Sequence, residues 1–307
     1  MKRHFSPPPL PTRNGVNPSF VHLPTGLWTT TLAFLSTRFP HISAEIWHER
    51  MKKGDVVNEH GLTIQPDAPY RAGMCLYYYR ELPFESHIPV QAHVLDETEH
   101  LLIVDKPHFL PVTPGGHYLQ ETLLTRLRRQ LNNPELSPLH RLDRETAGIM
   151  LFAKTKAARS MYQRLFAERA VHKTYLAIAP TRLDLTYPML YQSRLEEAAQ
   201  FFVMHEIEGL PNTETRITLL NTLGEHSLYQ LEPLTGKKHQ LRVHMSSLGM
   251  PILNDRFYPI AQAVQLDDYD KPLKLLAKKI EFIDPVTQQQ LAYESTLDLI
   301  EQNGSAI

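Results

Sequence analysis

An aspartate between two arginines, in His140-Arg141-Leu142-Asp143-Arg144-Glu145-Thr146-Ala147-Gly148, is the first feature of this chain with chemical content. Cationic neighbours hold a carboxylate ionised, the state that a nucleophile or a stabiliser of positive charge requires. Taken alone, Arg-x-Asp-Arg is more often a structural ion pair that fixes a turn. A second segment, far downstream, shifts that balance. It reads Thr235-Gly236-Lys237-Lys238-His239-Gln240-Leu241-Arg242-Val243-His244-Met245, followed by Asn254-Asp255 and Tyr258. A turn glycine opens a predicted short helix on which Lys238 and Arg242 share a face. The planar fork of Arg242 is the natural partner of a buried carboxylate. His239 and His244 are five residues apart, not the four that place two zinc ligands on one helical face, so no metal is expected.

These residues need elements to position them. Gly148 to Ala153 is an apolar run that reads as a buried strand, so Asp143 sits on a loop where the chain enters a sheet. Further strands are expected at Leu101–Val104, Lys173–Ala179, Thr215–Leu220 and Ser227–Leu231. Leu123, Leu124, Leu127 and Leu131 recur at helical spacing, and Thr155 can cap a helix carrying Ala158, Met161, Leu165 and Phe166. Strands outnumber helices and do not alternate with them regularly. An α+β fold with a mixed, mainly antiparallel sheet and helices packed on it follows. Before it, two short helices ending near Pro40 and Gly54, with strands around Val56-Val57, Leu62–Ile64 and Met74–Tyr79, make a separate small module. The expected division is a flexible, proline-rich arm over 1–18, a small module over 19–85 and a catalytic domain over 86–307.

The 307 residues are 42% hydrophobic and 21% charged, an ordinary balance for a globular protein. No apolar stretch is long enough for a membrane span, and the start of the chain leads into prolines where a secretory signal would carry an apolar run. A single cysteine, Cys75, excludes a disulfide framework and fits a reducing cytoplasmic location. The net charge of -1 hides an uneven distribution: Arg126 to Lys173 carries 11 Lys/Arg against 4 Asp/Glu, and Thr174 to Thr235 carries 3 against 8. A basic block around Asp143 points to contact with a polyanion.

With both segments in view, the chain resembles the RluA-type family of pseudouridine synthases. The first segment is similar to that family's His-Arg-Leu-Asp-Arg-x-Thr-Ser-Gly motif, with Ala147 at the serine. The second is similar to Gly-Arg-Thr-His-Gln-Ile-Arg-x-His. Lys106-Pro107-His108-Phe109-Leu110 and Lys173-Thr174-Tyr175-Leu176-Ala177 resemble two shorter family segments, in the family's order. The small module resembles a degenerate S-four-type RNA-binding unit.

The resemblance implies an isomerase that converts uridine in structured rRNA or tRNA to pseudouridine without a cofactor, as a monomer, after flipping the base out of its stack. It makes Asp143 the nucleophile or charge stabiliser, Tyr175 the residue that stacks on the base and takes the C5 proton, and Arg242 the holder of Asp143. Arg141 is to fill the gap left in the RNA, and Leu241 to pack beneath the base. His140, Arg144, Lys106, Lys238 and His239 complete the expected RNA-binding set. A basic rim is expected from Arg126, Arg128, Arg129, Lys154, Lys156 and Lys238. Lys237 replaces an arginine of the family pattern, and Phe109 and Asn254 replace glycines. These departures leave room for an alternative, a catalytically silent RNA-binding protein on the same fold.

Overall fold

A computed structural model describes residues 9–198, 203–262 and 267–300 of the chain. Near the N-terminus, strand β1 (Ser19–His22) precedes helices α1 (Thr31–Arg38) and α2 (Ala44–Lys52), and β2 (Val56–Asn58) and β3 (Cys75–Tyr78) follow. Thr30 and Ser43 cap the two helices, each hydroxyl accepting from the backbone N–H three residues ahead. Leu27, ahead of the first helix, is exposed, and Trp28 packs edge-on against Phe34 at 5.1 Å. The strands pair antiparallel in the order β1-β3-β2, while the expected strand at Leu62–Ile64 is reduced to one bridge between Val57 and Thr63. Phe34, Leu35, Trp47, Met51, Val56 and Leu76 close a core of their own.

Residues 1–8 of the expected arm lie outside the described residues. The following stretch is fastened to the body at several points. Tyr79 donates its hydroxyl to Pro11 O at 2.7 Å, Arg13 lies 3.8 Å over the Tyr79 ring, and Arg128 donates to Gly15 O at 3.2 Å. The connection after the small module is also held. The Glu85 carboxylate accepts from the backbone N–H groups of Leu119, Gln120 and Glu121 at 2.6, 3.0 and 2.8 Å.

The rest of the chain builds one large sheet from β4 (His93–Glu97), β5 (Leu101–Lys106), β6 (Ser137–Pro138), β7 (Ala147–Ala153), β8 (His172–Pro180), β9 (Met189–Glu197), β10 (Met204–Ile207), β11 (Thr213–Leu223), β12 (His226–Pro233), β13 (Leu275–Ile283) and β14 (Gln290–Glu294). Its order is β10-β9-β11-β12-β8-β13-β7-β5-β4, with β14 on β13 and β6 on β7. Every pair is antiparallel except β13 with β7. Helices α3 (Leu123–Gln130), α4 (Lys156–Ala167) and α5 (Gln240–Ser247) pack on this sheet. The architecture is the expected α+β class, mainly antiparallel.

The centre of the sheet matters most for the site. In β13, Ala277 is paired with Gly148 on one side and with Tyr175 on the other. Gly148 has φ +113°, and a Cβ there would stand 2.3 Å from Ala277 O. Only glycine allows β7 to lie that close to β13 while the Asp143 loop turns into the strand. The two glycine positions of the family pattern that this chain replaces keep a left-handed backbone. Phe109 has φ +65° and Asn254 has φ +64°. Asparagine adopts that conformation readily; Phe109 is buried and packed edge-on against Tyr269 at 5.0 Å.

Candidate active site

The loop before β7, the start of β8 and the N-terminal end of α5 converge on one cleft of about 840 Å³. Asp143, Tyr175, Leu241 and Arg242 all line it, although they are far apart in sequence. Arg242 NH1 lies 3.4 Å from Asp143 Oδ2, so the expected contact forms. It is not, however, the main anchor of the guanidinium. Arg242 Nε and NH2 donate to the two carboxylate oxygens of Asp255 at 2.8 and 2.6 Å, a bidentate pair between almost fully buried side chains. Burial disfavours the arginine's charge, but Asp255 outweighs it and holds the pKa above its ordinary value. The Arg242 guanidinium also faces the rings of Phe257 and Tyr258, 4.8 and 5.5 Å from their centroids. Asp255 completes the clamp; its place beside Asn254 in the second motif was the available signal.

His239 approaches Asp143 from another side, with Nε2 at 3.7 Å from Oδ2. Its Nδ1 is 2.8 Å from the Tyr258 hydroxyl, which accepts from Met204 N–H at 2.8 Å. The hydroxyl proton is therefore free to go to Nδ1, leaving the Nε2–H directed at Asp143. Burial pushes the His239 pKa down to about 4 against the pull of Asp143, so the ring is neutral at pH 7. Lys238 does not share a helical face with Arg242. The chain turns at His239, with φ +54°, and the helix starts only at Gln240. Gln240 fixes that turn: its carbonyl accepts from Thr235 Oγ1 and Lys237 N at 2.7 and 3.1 Å, and its amide donates to Glu214 O and Thr215 Oγ1 at 3.0 and 2.9 Å.

Tyr175 is half-buried, lines the same cleft as Asp143 and packs on the cluster that contains Ala177, Leu231 and Leu241 from β8, β12 and α5. Burial, and then the nearby Asp143 charge, raise its phenol above the ordinary pKa. A flat ring with an apolar floor in the same cleft as a carboxylate suits a planar base.

Other expected contacts have different work. Lys106 was expected to meet RNA, but it has no exposed surface and donates to three backbone carbonyls. The Arg144 guanidinium is also turned away from the cleft. It pairs with Asp267 and donates to the Tyr118 hydroxyl at 3.2 Å. His140 lines the cleft, yet its Nε2 accepts from Leu151 N at 3.1 Å and its ring stacks on Phe166, so it acts chiefly as a support for the loop. Arg141 is exposed at the cleft.

The basic rim is also corrected. Arg126 donates to Val90 O and Ile88 O at 2.6 Å each, and Arg128 to Leu136 O at 3.0 Å. Arg129 reaches Gln120, Lys154 reaches Glu97 and Thr98 O, and Lys156 lies near Glu135. Of the six expected rim residues only Lys238 lines the cleft, where Arg141, Arg169, Lys173, Arg216 and Lys237 supply the remaining positive charge. Among the described residues no group of three or more His, Cys, Asp or Glu could hold a metal ion, and no helix is long and apolar enough to cross a membrane.

Comparison with known proteins places the chain in a family. Residues 100–247 match the model of a family described as RNA pseudouridylate synthase. An uncharacterized RNA pseudouridine synthase of Synechocystis sp. is 32% identical over 74% of this chain and 78% of its own length. The dual-specificity RNA pseudouridine synthase RluA of Haemophilus influenzae is 31% identical over 67% of this chain and 93% of its own. Among solved structures, human RNA pseudouridylate synthase domain containing 1 superposes with a TM-score of 0.53 at 25% identity, covering 69% of this chain and 86% of that one.

Proposed function

Because this chain belongs to the RluA-type family and is an RNA pseudouridine synthase, we propose that its substrates are uridines in structured ribosomal or transfer RNA. A relative from Vibrio cholerae, 32% identical over 67% of this chain, is named ribosomal large subunit pseudouridine synthase C. Asp143 acts on the flipped nucleotide as nucleophile or charge stabiliser, and the uracil N1–C1' bond breaks. The base turns, C5 bonds to C1', and the C5 proton is lost. Tyr175 stacks on the base and relays that proton through its hydroxyl, whose own proton passes to solvent while N1 takes one up, and Arg141 fills the space in the RNA. The observation that carries this reading is the convergence of Asp143, Tyr175 and Arg242 in one cleft with Arg242 NH1 3.4 Å from Asp143. The alternative of a silent RNA-binding protein has no support in the comparisons.

The cations around the cleft would neutralise phosphates flanking the target. Asp143, Tyr175 and Arg242 all belong to the same chain, so this reading takes the enzyme as a monomer, and a single cysteine fits the cytoplasm. The module over 19–85 acts as a degenerate S-four-like unit. Its Arg50 is turned inward to Glu81 at 2.8 Å, leaving Lys52 and Lys53 exposed on that helix end. The test is release of tritium from ribosomal and transfer RNA labelled at uracil C5. Release by the protein and none by Asp143→Ala is expected; release from neither RNA class would overturn the substrate assignment.

A further inference from the structure

The cleft is lined by two carboxylates, Asp143 and Glu232, among many cations. Asp143 has Arg242 and His239 beside it. Glu232, near the end of β12, has no hydrogen bond or ion pair among the described residues. Its register partner on β11 is Arg216, which sets the two side chains on one face of the sheet, near enough to pair. They do not close on each other, although in the same sheet Arg194 meets Glu196 at 2.7 Å and Lys279 meets Glu281 at 2.9 Å. Arg216 is thus left for phosphate. Glu232 is left for a different group, since a carboxylate repels the RNA backbone and, when ionised, only accepts hydrogen bonds.

The surroundings of Glu232 define that group. Pro233 and Leu234 follow it along the cleft wall, and Leu234 is 42% exposed, so the carboxylate stands beside an apolar ledge. The amides of the same cleft are engaged elsewhere: Asn212 accepts from Leu195 N at 2.9 Å and donates to Leu195 O at 3.2 Å, and Gln240 fixes the turn before α5. Tyr175 pairs with Leu231, the residue before Glu232. A ledge for a ring face with an acceptor at its edge, one strand position from the row of Tyr175, fits the base next to the one being isomerised.

We propose that Glu232 reads a guanine flanking the target uridine. The inference rests on RNA being the substrate of this cleft. Guanine alone presents two adjacent donors on its Watson–Crick edge, N1–H and N2–H, which match the two oxygens of a carboxylate. Adenine and cytosine set one amino donor beside an acceptor, and uracil sets one N–H between two carbonyls. These edges are open in the unpaired loops where proteins read RNA sequence.

The experiment presents a pool of RNA hairpins with fully randomised loops to the wild type, Glu232→Ala, Glu232→Gln and Asp143→Ala. Retained hairpins are sequenced, and pseudouridine is mapped in the same pool by carbodiimide adducts that stop reverse transcription. The wild type is expected to enrich guanine at one fixed position beside a uridine by on the order of tenfold. Glu232→Ala should lose that enrichment, and Glu232→Gln, with one donor and one acceptor, should shift it to adenine. A side chain that merely supports the strand would not change which base is preferred. Absence of a guanine preference in the wild type overturns the inference, as does a preference that survives both Glu232 variants. Tighter retention of every loop sequence alike by Glu232→Ala also overturns it, because the carboxylate would then only repel. A guanine preference that Glu232→Ala abolishes, in a pool where no pseudouridine forms, would uphold the contact and sink the catalytic reading, so the two failures are told apart.

Discussion

Arg242 is held by Asp255 through two hydrogen bonds of 2.8 and 2.6 Å and reaches Asp143 with its remaining nitrogen at 3.4 Å. Asp143 thus has a cation beside it without being locked in a bidentate pair. Its other oxygen is left for the substrate, and the cation cannot swing over to claim both.

Replacing the anchor tests this division of labour. Asp255→Asn is expected to free the guanidinium to close on Asp143 and to lower kcat on the order of a hundredfold. The same change breaks a buried pair, so urea denaturation should show a loss of about 3–5 kcal/mol. Unchanged kcat with lowered stability would mean that Asp255 serves the fold alone.

Tyr175→Phe separates stacking from proton transfer. The ring and its packing stay, and the phenol oxygen goes. RNA binding, measured by filter retention, should be unaffected, while tritium release falls by about 10²-fold or more. Equal loss of binding would point to a role for the hydroxyl in holding the RNA.

The corrected rim predicts a salt signature. Arg216→Ala and Lys237→Ala should raise KM, leave kcat alone and each reduce the slope of log affinity against log salt by about 0.7–1. Arg126→Ala should leave the slope unchanged and lower the melting temperature, since that guanidinium is used on Val90 O and Ile88 O.

Acid should unfold the protein through its buried histidines. Burial lowers the pKa of His108, His239 and His244 to about 4 and of His140 to about 3. An unfolded histidine takes its proton near pH 6.5. Between pH 6.5 and 4 the unfolded chain therefore binds protons that the native state refuses. This part of the stability is whole above pH 6.5 and is lost as pH falls towards 4, at up to about 1.4 kcal/mol per pH unit for each ring. Urea midpoints across that window check it; no decline would show that these rings accept protons in the folded state.

The two long motifs made Asp143 and Arg242 legible in the sequence because each carries its own chemistry in a short run, and Tyr175 was legible from the shorter Lys173–Ala177 segment. β5, β7, β8, β11 and β12 were legible from apolar runs. The rim was misread because charge counted along a chain says nothing about direction. Leu124 and Arg128 are four apart on α3, and that spacing already turned Arg128 towards the buried face. Arg169 and Arg216 reach the cleft from a turn and a strand whose neighbours in space are remote in sequence. β13 was missed since Leu275–Ile283 mixes two lysines and a glutamate into an apolar run, and its period suits a helix as well as a strand.

That missed strand governs when the enzyme comes into being. Asp143 lies just before β7 and Tyr175 near the start of β8, and β13 is inserted between these two strands, with Ala277 touching both registers. On a ribosome, therefore, Asp143 and Tyr175 are synthesised well before the strand that joins β7 to β8. That joining waits until a segment more than a hundred residues further along has emerged and threaded itself into the middle of the sheet, a pairing of high contact order and slow by nature. A nascent chain stalled before Leu275 carries Asp143, Tyr175 and Arg242 but lacks the strand that joins β7 to β8.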